Sequence, residues 1–262
     1  MSDLSVRQKE YEDHSELSLM RRVPVVIRVD GRNFKKVTEK LPKPSSDLIH
    51  VMANTMLYVI KEIQGAVFGF THSDEILFIL RNDQSLESEP WFQNRISKIT
   101  SITASLATKG FEKSLMTLDS TLDLIGDPVF DCRASARPNI PEAANCVLWR
   151  QFDCISNSVT MAAINHLSQK LGHKTALKLL HEKNTKERKQ LLLEKCDIDF
   201  DEYFSAAFRH GVAVYRTPTI INDTYSRDKW TLDFDLPLFS EEQDFIYNIL
   251  INGTGSVKTL RE

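Results

Sequence analysis

Hydrophobic and polar positions alternate along this chain in a way that predicts its elements before any residue is assigned a task. Residues 1–22 are charged and polar, and they read as a surface segment ending in Arg21-Arg22. Val23 to Val29 (VPVVIRV) is a β-branched run and predicts a buried strand. Asp30-Gly31 stops it, since that pair favours a turn. Pro44-Ser45-Ser46 then opens a helix in which Leu48, Met52, Thr55, Met56, Val59 and Ile63 recur at helical spacing, with Gly65 at its end. Ala66–Phe70 and Glu75–Leu80 are two short apolar runs around the polar stretch Thr71-His72-Ser73-Asp74, which predicts a β-hairpin. The second run is apolar on both faces and so belongs in the middle of a sheet. Residues 91–109 predict a helix with Ile96, Ile99, Ile102 and Leu106 inward, and Pro128 to Ala134 returns as a strand.

The resulting order is β-α-β-β-α-β, a ferredoxin-like α+β plan. Beyond about residue 140 the pattern turns helical, with candidates at 145–170 and 174–195. Gly211–Arg216 and Trp230–Phe234 suit a late strand pair. The expected organisation is therefore a palm-like unit over 1–140 and a mainly helical extension over 141–262.

Composition narrows the class. Apolar residues make up 42% and charged residues 26% of the 262 positions, which excludes a wholly disordered chain. Lys and Arg total 33 against 36 Asp and Glu, so the net charge of -3 excludes a grossly basic nucleic-acid binder but not a local basic face. No apolar run approaches a bilayer span, and the amino terminus lacks the pattern of a secretory signal; a cytoplasmic protein without membrane contact is expected. Cys132, Cys146, Cys154 and Cys196 lack C-x-x-C spacing and read as reduced thiols. His166 and His173 lack the accompanying cluster of a metal site.

The chemistry concentrates at two turns. Asp30 ends the first strand, and Asp74 and Glu75 sit at the hairpin turn; in a βαββαβ sheet the first and third strands are neighbours, so these bends meet at one edge. Converging carboxylates repel, and divalent cations with hard oxygen ligands offset that repulsion. Two such ions about 3.5–4 Å apart would activate an attacking hydroxyl and neutralise a leaving pyrophosphate. Gly31, without a Cβ, would let its backbone approach a metal or phosphate. The plainer reading stands beside this one: Asp-Gly and Ser-Asp-Glu are ordinary solvated turn sequences.

Asp30-Gly31-Arg32-Asn33-Phe34, Lys43-Pro44, Ser73-Asp74-Glu75 and Trp149-Arg150-Gln151 with Asp153-Cys154 occur in the order found in the tRNA(His) guanylyltransferase (Thg1) family, the 3′-to-5′ polymerases, which this chain resembles over roughly residues 20–165. The resemblance implies a polymerase-type palm with an added helical half, assembled as a homotetramer. It implies two Mg²⁺ ions held by Asp30, the Gly31 carbonyl and Asp74, with Glu75 adjacent and catalytic. It implies that Asp30, Gly31, Arg32, Asn33, Phe34, Lys35, Ser73 and Asp74 hold a nucleoside triphosphate such as GTP or ATP, and that Lys43 contacts phosphate. Two departures are notable: Lys35 replaces the family's histidine, and Ile155-Ser156-Asn157-Ser158-Val159-Thr160-Met161 replaces its HINNLYN segment. The second favours the Thg1-like branch, which repairs 5′-truncated tRNA by templated addition, over addition of a single G to tRNA(His).

Weaker candidates remain. Arg21, Arg22, Lys36 and Lys40 flank the expected site as RNA-phosphate contacts. Lys183, Lys186, Arg188 and Lys189 form a basic run that suits either an RNA backbone or a solvated helix face laced with Glu182 and Glu187. Trp149 suits core packing better than base stacking, and Phe34 suits either a nucleotide contact or closure of its turn. Two other classes share the topology. An RNA-recognition module would need aromatics on its first strand, and VPVVIRV has none. A nucleotide cyclase would turn over NTP without RNA.

Overall fold

The structure, a computed structural model, describes residues 3–117, 122–222 and 225–255; side chains at 219–227 lie outside this description. Its centre is one antiparallel sheet of order β4-β1-β3-β2-β5-β6. The strands are β1 (Val25–Gly31), β2 (Ala66–His72), β3 (Glu75–Leu80), β4 (Phe130–Ala136), β5 (Val212–Asn222) and β6 (Tyr225–Asp233). The first four follow the ferredoxin-like order, and β3 is buried at every position, as its apolar run predicts.

An exposed helix α1 (Asp3–His14) precedes the sheet, within the segment expected at the surface. Strand β1 runs through Gly31, and the chain reverses only at Asn33, whose φ of 57° is left-handed, before the short helix α2 (Phe34–Val37). Helix α3 (Ser46–Ile60) begins where Ser45 Oγ accepts the Leu48 amide at 3.3 Å. The β2–β3 turn is tighter than the sequence suggests, because Thr71 and His72 still belong to β2 and only Ser73 and Asp74 connect the strands.

Other expectations change on the helices. Residues 91–94 form a 3₁₀ turn, and helix α4 (Ile96–Thr117) follows it. Its buried stripe is Ile99, Thr103, Ala107, Gly110 and Phe111, whereas Ile102 is 37% exposed. Close approach of α3 is the reason: a Cβ on Gly110 would stand 2.8 Å from the Tyr58 ring, so small residues must face it. The single helix expected at 174–195 is two, α6 (His173–Leu180) and α7 (Thr185–Cys196), divided where Asn184 and Glu187 form a reciprocal cap.

Helix α5 (Ile140–Leu171) lies against one face of the sheet together with α10 (Gln243–Asn252), burying Phe68, Phe70, Leu77, Ile79 and Tyr215. Helices α3 and α4 cover the other face over Ile27, Val29, Ile76 and Phe78. A third cluster joins the distal part of α5 to α6, α7 and the short helices α8 (Phe200–Tyr203) and α9 (Ala206–His210). The chain beyond residue 140 thus supplies two strands of the central sheet besides its helices. Among the described residues no helix is long and apolar enough to cross a membrane.

Candidate active site

Strand register assembles a row of ionisable residues at one end of the sheet. Asp30 pairs with Glu75 on one side and with Asp131 on the other, and Glu75 pairs in turn with His72. Paired residues share a face, so Asp131, Asp30, Glu75 and His72 line up on the face that α5 covers in part. One step along β1, Arg28 stands opposite Arg133. The Ser73–Asp74 turn docks onto the end of β1, the Gly31 amide donating to the Asp74 carbonyl at 3.1 Å.

The electrostatics follow from this crowding. Burial raises the Asp74 pKa above its ordinary value; the Ser73 hydroxyl, donating to Asp74 Oδ1 at 3.0 Å, opposes that rise, and the nearby charge of Asp30 adds to it. Glu75 is also raised, by burial first, against the pull of Arg150 and Arg28. Arg150 Nη1 donates to both Glu75 oxygens, at 3.2 and 3.0 Å. Burial drives His72 down to about 4, with Arg150 adding to the shift, so its imidazole is neutral near pH 7.

No trio of His, Cys, Asp and Glu side chains among the described residues forms a ready metal cluster. The donor set that fits a hard divalent cation is smaller: the Asp30 and Asp74 carboxylates, which repel one another, and the Gly31 backbone between them. That donor chemistry suits Mg²⁺, which takes one or two carboxylates and completes its shell with water and phosphate.

Several expected contacts sit differently from the reading of the sequence. The missing Cβ of Gly31 makes room for the Phe34 ring, with which a Cβ would overlap. Phe34 itself is 3% exposed and packs edge-on against Phe111, with Phe130 at 5.1 Å, so its ring closes the turn and is not offered to a base. Glu75 is turned beneath α5 onto Arg150 instead of standing free beside Asp74. Arg32 and Asn33 are exposed beside the site, and Lys35 with them.

Lys43 and Ser73 line one cavity of about 120 Å³, closed by α3, the mid-section of α5 and the start of β5. Thr71, His72, Cys154, Asn157 and Ser158 also line it, so the altered segment after Asp153-Cys154 forms one wall. By the measure on which a single water needs about 10–15 Å³, this space holds several.

The basic candidates divide. Arg22 is tied to the Ser85 and Leu86 carbonyls, Lys40 to Asp123, Lys183 to Glu187, Lys189 to Asp201 and Arg188 to the Thr160 hydroxyl. Within this run Lys183 makes an i,i+4 pair with Glu187, whereas Arg188 and Lys189 reach residues on other helices. Arg21, Lys36 and Lys186 are exposed and carry no ion pair among the described residues.

Sequence reasoning missed Arg28, His72, Asp131 and Arg133. The signal for the last two was present: Phe130-Asp131-Cys132-Arg133-Ala134 alternates apolar and charged, which puts both charges on one face of β4. Arg150 was noticed only as part of a motif, because its partner lies 75 positions away.

Known proteins resemble this chain in sequence and in fold. The sequence profile of tRNAHis guanylyltransferases matches residues 5–138. A probable tRNA(His) guanylyltransferase of Dictyostelium discoideum is 29% identical over 206 residues, covering 76% of this chain and 78% of that one. The chain spans 63% of the length of the bovine, murine and human relatives. A bacterial tRNA(His) guanylyltransferase-like protein in complex with ATP superposes with a TM-score of 0.80 at 27% identity, over 95% of this chain and 99% of that one. The GTP complex of such a protein gives 0.73 at 25% identity, over 95% and 99%.

Proposed function

The chain belongs to the tRNA(His) guanylyltransferase family, whose named members are nucleotidyltransferases, and from that premise we propose that it adds nucleotides to the 5′ end of tRNA in the 3′-to-5′ direction, as templated repair of truncated 5′ ends. The observation that carries the site assignment is the docked turn: the Gly31-to-Asp74 bond brings Asp74 beside Asp30 at the end of β1.

In the proposed reaction the 3′-hydroxyl of an incoming NTP attacks the α-phosphorus of an activated tRNA 5′ end. The new phosphodiester forms, the bond to the leaving pyrophosphate breaks, and the hydroxyl proton passes to solvent. Asp30, Asp74 and the Gly31 carbonyl would hold Mg²⁺. When bound, such ions lower the pKa of an attacking hydroxyl and offset charge on the leaving group. Exposed Arg32, Asn33 and Lys35 present donors to a triphosphate lying along the turn. Lys43 and Ser73 face the neighbouring cavity, where Lys43 would meet a phosphate at the rim and the remaining lining would take the base and sugar of a GTP or ATP. Arg28 and Arg133 lie on the same sheet face one step from Asp30, where a second polyanionic group would find cations. Base pairing with the opposite strand would select each nucleotide, so the protein needs no base-reading side chain. Tetrameric assembly and a cytoplasmic location complete this reading.

A tRNA lacking its first nucleotides and carrying a 5′-triphosphate, incubated with Mg²⁺ and each of the four NTPs, tests it. Extension is expected only with the NTP that pairs opposite. Addition of a single G whatever the template would instead indicate G addition to tRNA(His), and NTP turnover without RNA would indicate a cyclase. Asp30→Ala and Asp74→Ala are each expected to abolish extension, as is EDTA; full activity in either variant refutes the site.

A further inference from the structure

Asp74 and Glu75 are adjacent in sequence and differ in their partners. Asp74 lies in the turn docked on the end of β1, whereas Glu75 is 8% exposed beneath α5. There it meets Arg150, whose Nη1 reaches both carboxylate oxygens. The same guanidinium binds Asp153 Oδ2 through Nη2 at 2.9 Å and lies 3.6 Å over the Trp149 ring. Arg28 Nε and His72 Nε2 stand farther from Glu75, at 3.8 and 3.9 Å. Arg150 is therefore the principal countercharge of Glu75.

The turn that carries Asp74 is two residues long, and the Ser73 hydroxyl donates to Asp74 Oδ1 within it. Ser73 sits at a left-handed φ of 52°, and on the side of β1 the turn is held by the single Gly31-to-Asp74 backbone bond. The Thr71 hydroxyl ties the Glu75 carbonyl at 2.7 Å but leaves the Glu75 side chain to Arg150. The backbone at both ends of the turn is fixed by the His72–Glu75 and Asp30–Glu75 strand pairs, so what remains to be set at its β3 end is the seat of the Glu75 side chain. A guanidinium fixed by a carboxylate on each side and an aromatic face beneath is a rigid anchor for that side chain.

We propose that Arg150 is a positioning residue for the reaction: by clamping Glu75 beneath α5 it aims Asp74 at Asp30, while itself touching neither nucleotide nor cation. This rests on the reading of Asp30 and Asp74 as the cation-holding pair. A merely structural ion pair would behave differently: its loss would show in the folding stability, not in Mn²⁺ affinity at unchanged stability.

The test uses the full chain and two variants. Arg150→Lys keeps the charge and loses the planar fork. The double variant Glu75→Gln with Arg150→Gln replaces the pair by neutral amides, so no lone charge is left buried if the single variant fails to fold. Melting temperature and circular dichroism report folding. Mn²⁺ affinity, read by electron paramagnetic resonance with a non-hydrolysable GTP analogue, reports the carboxylate pair without turnover. For Arg150→Lys we expect Mn²⁺ affinity and kcat both to fall by ~10–100-fold, as for residues that orient metal ligands, with KM for NTP and the melting temperature near wild type. The double variant is expected to fold and to show the same loss. Mn²⁺ affinity and kcat within about twofold of wild type in a folded variant would overturn the proposal. So would an activity loss that merely tracks the unfolded fraction. If the wild type extends no 5′ end yet binds Mn²⁺, the proposed function fails while the Mn²⁺ comparison still decides the role of Arg150.

Discussion

The space where Gly31 would carry a side chain is filled by the Phe34 ring, which Phe111 and Phe130 hold in place. Phe34→Ala is expected to cost about 3–5 kcal/mol of stability, as for a buried aromatic. NTP affinity in the residual folded protein should be unchanged; urea unfolding and equilibrium binding read the two separately. Unchanged stability with weakened NTP binding would restore Phe34 as a nucleotide contact. The His210 imidazole is lowered below its ordinary value by burial, against the raising effect of its bond to the Leu236 carbonyl at 2.8 Å. An unfolded histidine binds a proton near pH 6.5 while the folded one does not, so stability falls as pH drops below that value toward the folded pKa. His210→Gln should flatten this slope between pH 7.5 and 5.5 in urea titrations, and an unchanged slope would contradict it. Asp74 and Glu75, raised by burial, act in the opposite sense on protonation, so only the difference between wild type and variant isolates His210. At this scale Asp30 and Asp74 were legible because strand-ending turns announce themselves by Asp-Gly and Ser-Asp. The orientation of Glu75 was not legible, because a side chain's partner on a distant helix leaves no local trace.

Elements were legible where one face is uniformly apolar and illegible where packing demands small residues. The stripe on α4 runs through Thr103, Ala107 and Gly110, which carry no hydrophobic signal, and so Ile102 was expected inward on the strength of its side chain alone. Helix α5 begins five residues earlier than its apolar pattern suggests, because Asn139 caps it by accepting the Glu142 amide and Pro141 is tolerated in its first turn. The late strand pair was legible as strands, but its attachment was not, since β5 joins β2 across more than a hundred residues. That attachment is reinforced inside the pair, where the buried Tyr215 hydroxyl donates to Asp233 Oδ2 at 2.7 Å. Tyr215→Phe removes a donor from a buried carboxylate and is expected to cost about 1–3 kcal/mol in urea unfolding. A change below about 0.5 kcal/mol would place that hydroxyl among dispensable contacts.

For the whole molecule, the question is whether residues 1–140 form a unit that stands without the rest. The sheet argues against it. Strands β1 to β4 expose Val67, Phe68, Phe70, Leu77 and Ile79 on the face that α5 and α10 cover, and β2 pairs with β5 along Phe68 to Thr71. Cutting after residue 140 would bare that apolar face and leave β2 as an unprotected edge beside it. An edge of this kind invites pairing with other chains, and an apolar patch of this extent favours association. The cut would also remove Arg150, and with it the principal countercharge of buried Glu75. The fragment 1–140 is therefore expected to be aggregation-prone, to bind a hydrophobic dye, and to lack a cooperative thermal transition, whereas the full chain unfolds cooperatively. A monomeric fragment with a sharp transition would show instead that the helical face and the two added strands are accessories to an autonomous palm. In the expected case, the motif at Trp149-Arg150-Gln151 belongs to the catalytic unit as much as Asp30 does. Gln151 supports this from the same turn of α5, donating to the His210 and Pro237 carbonyls and accepting the Phe239 amide, and so ties the helix to the segments that flank β5 and β6.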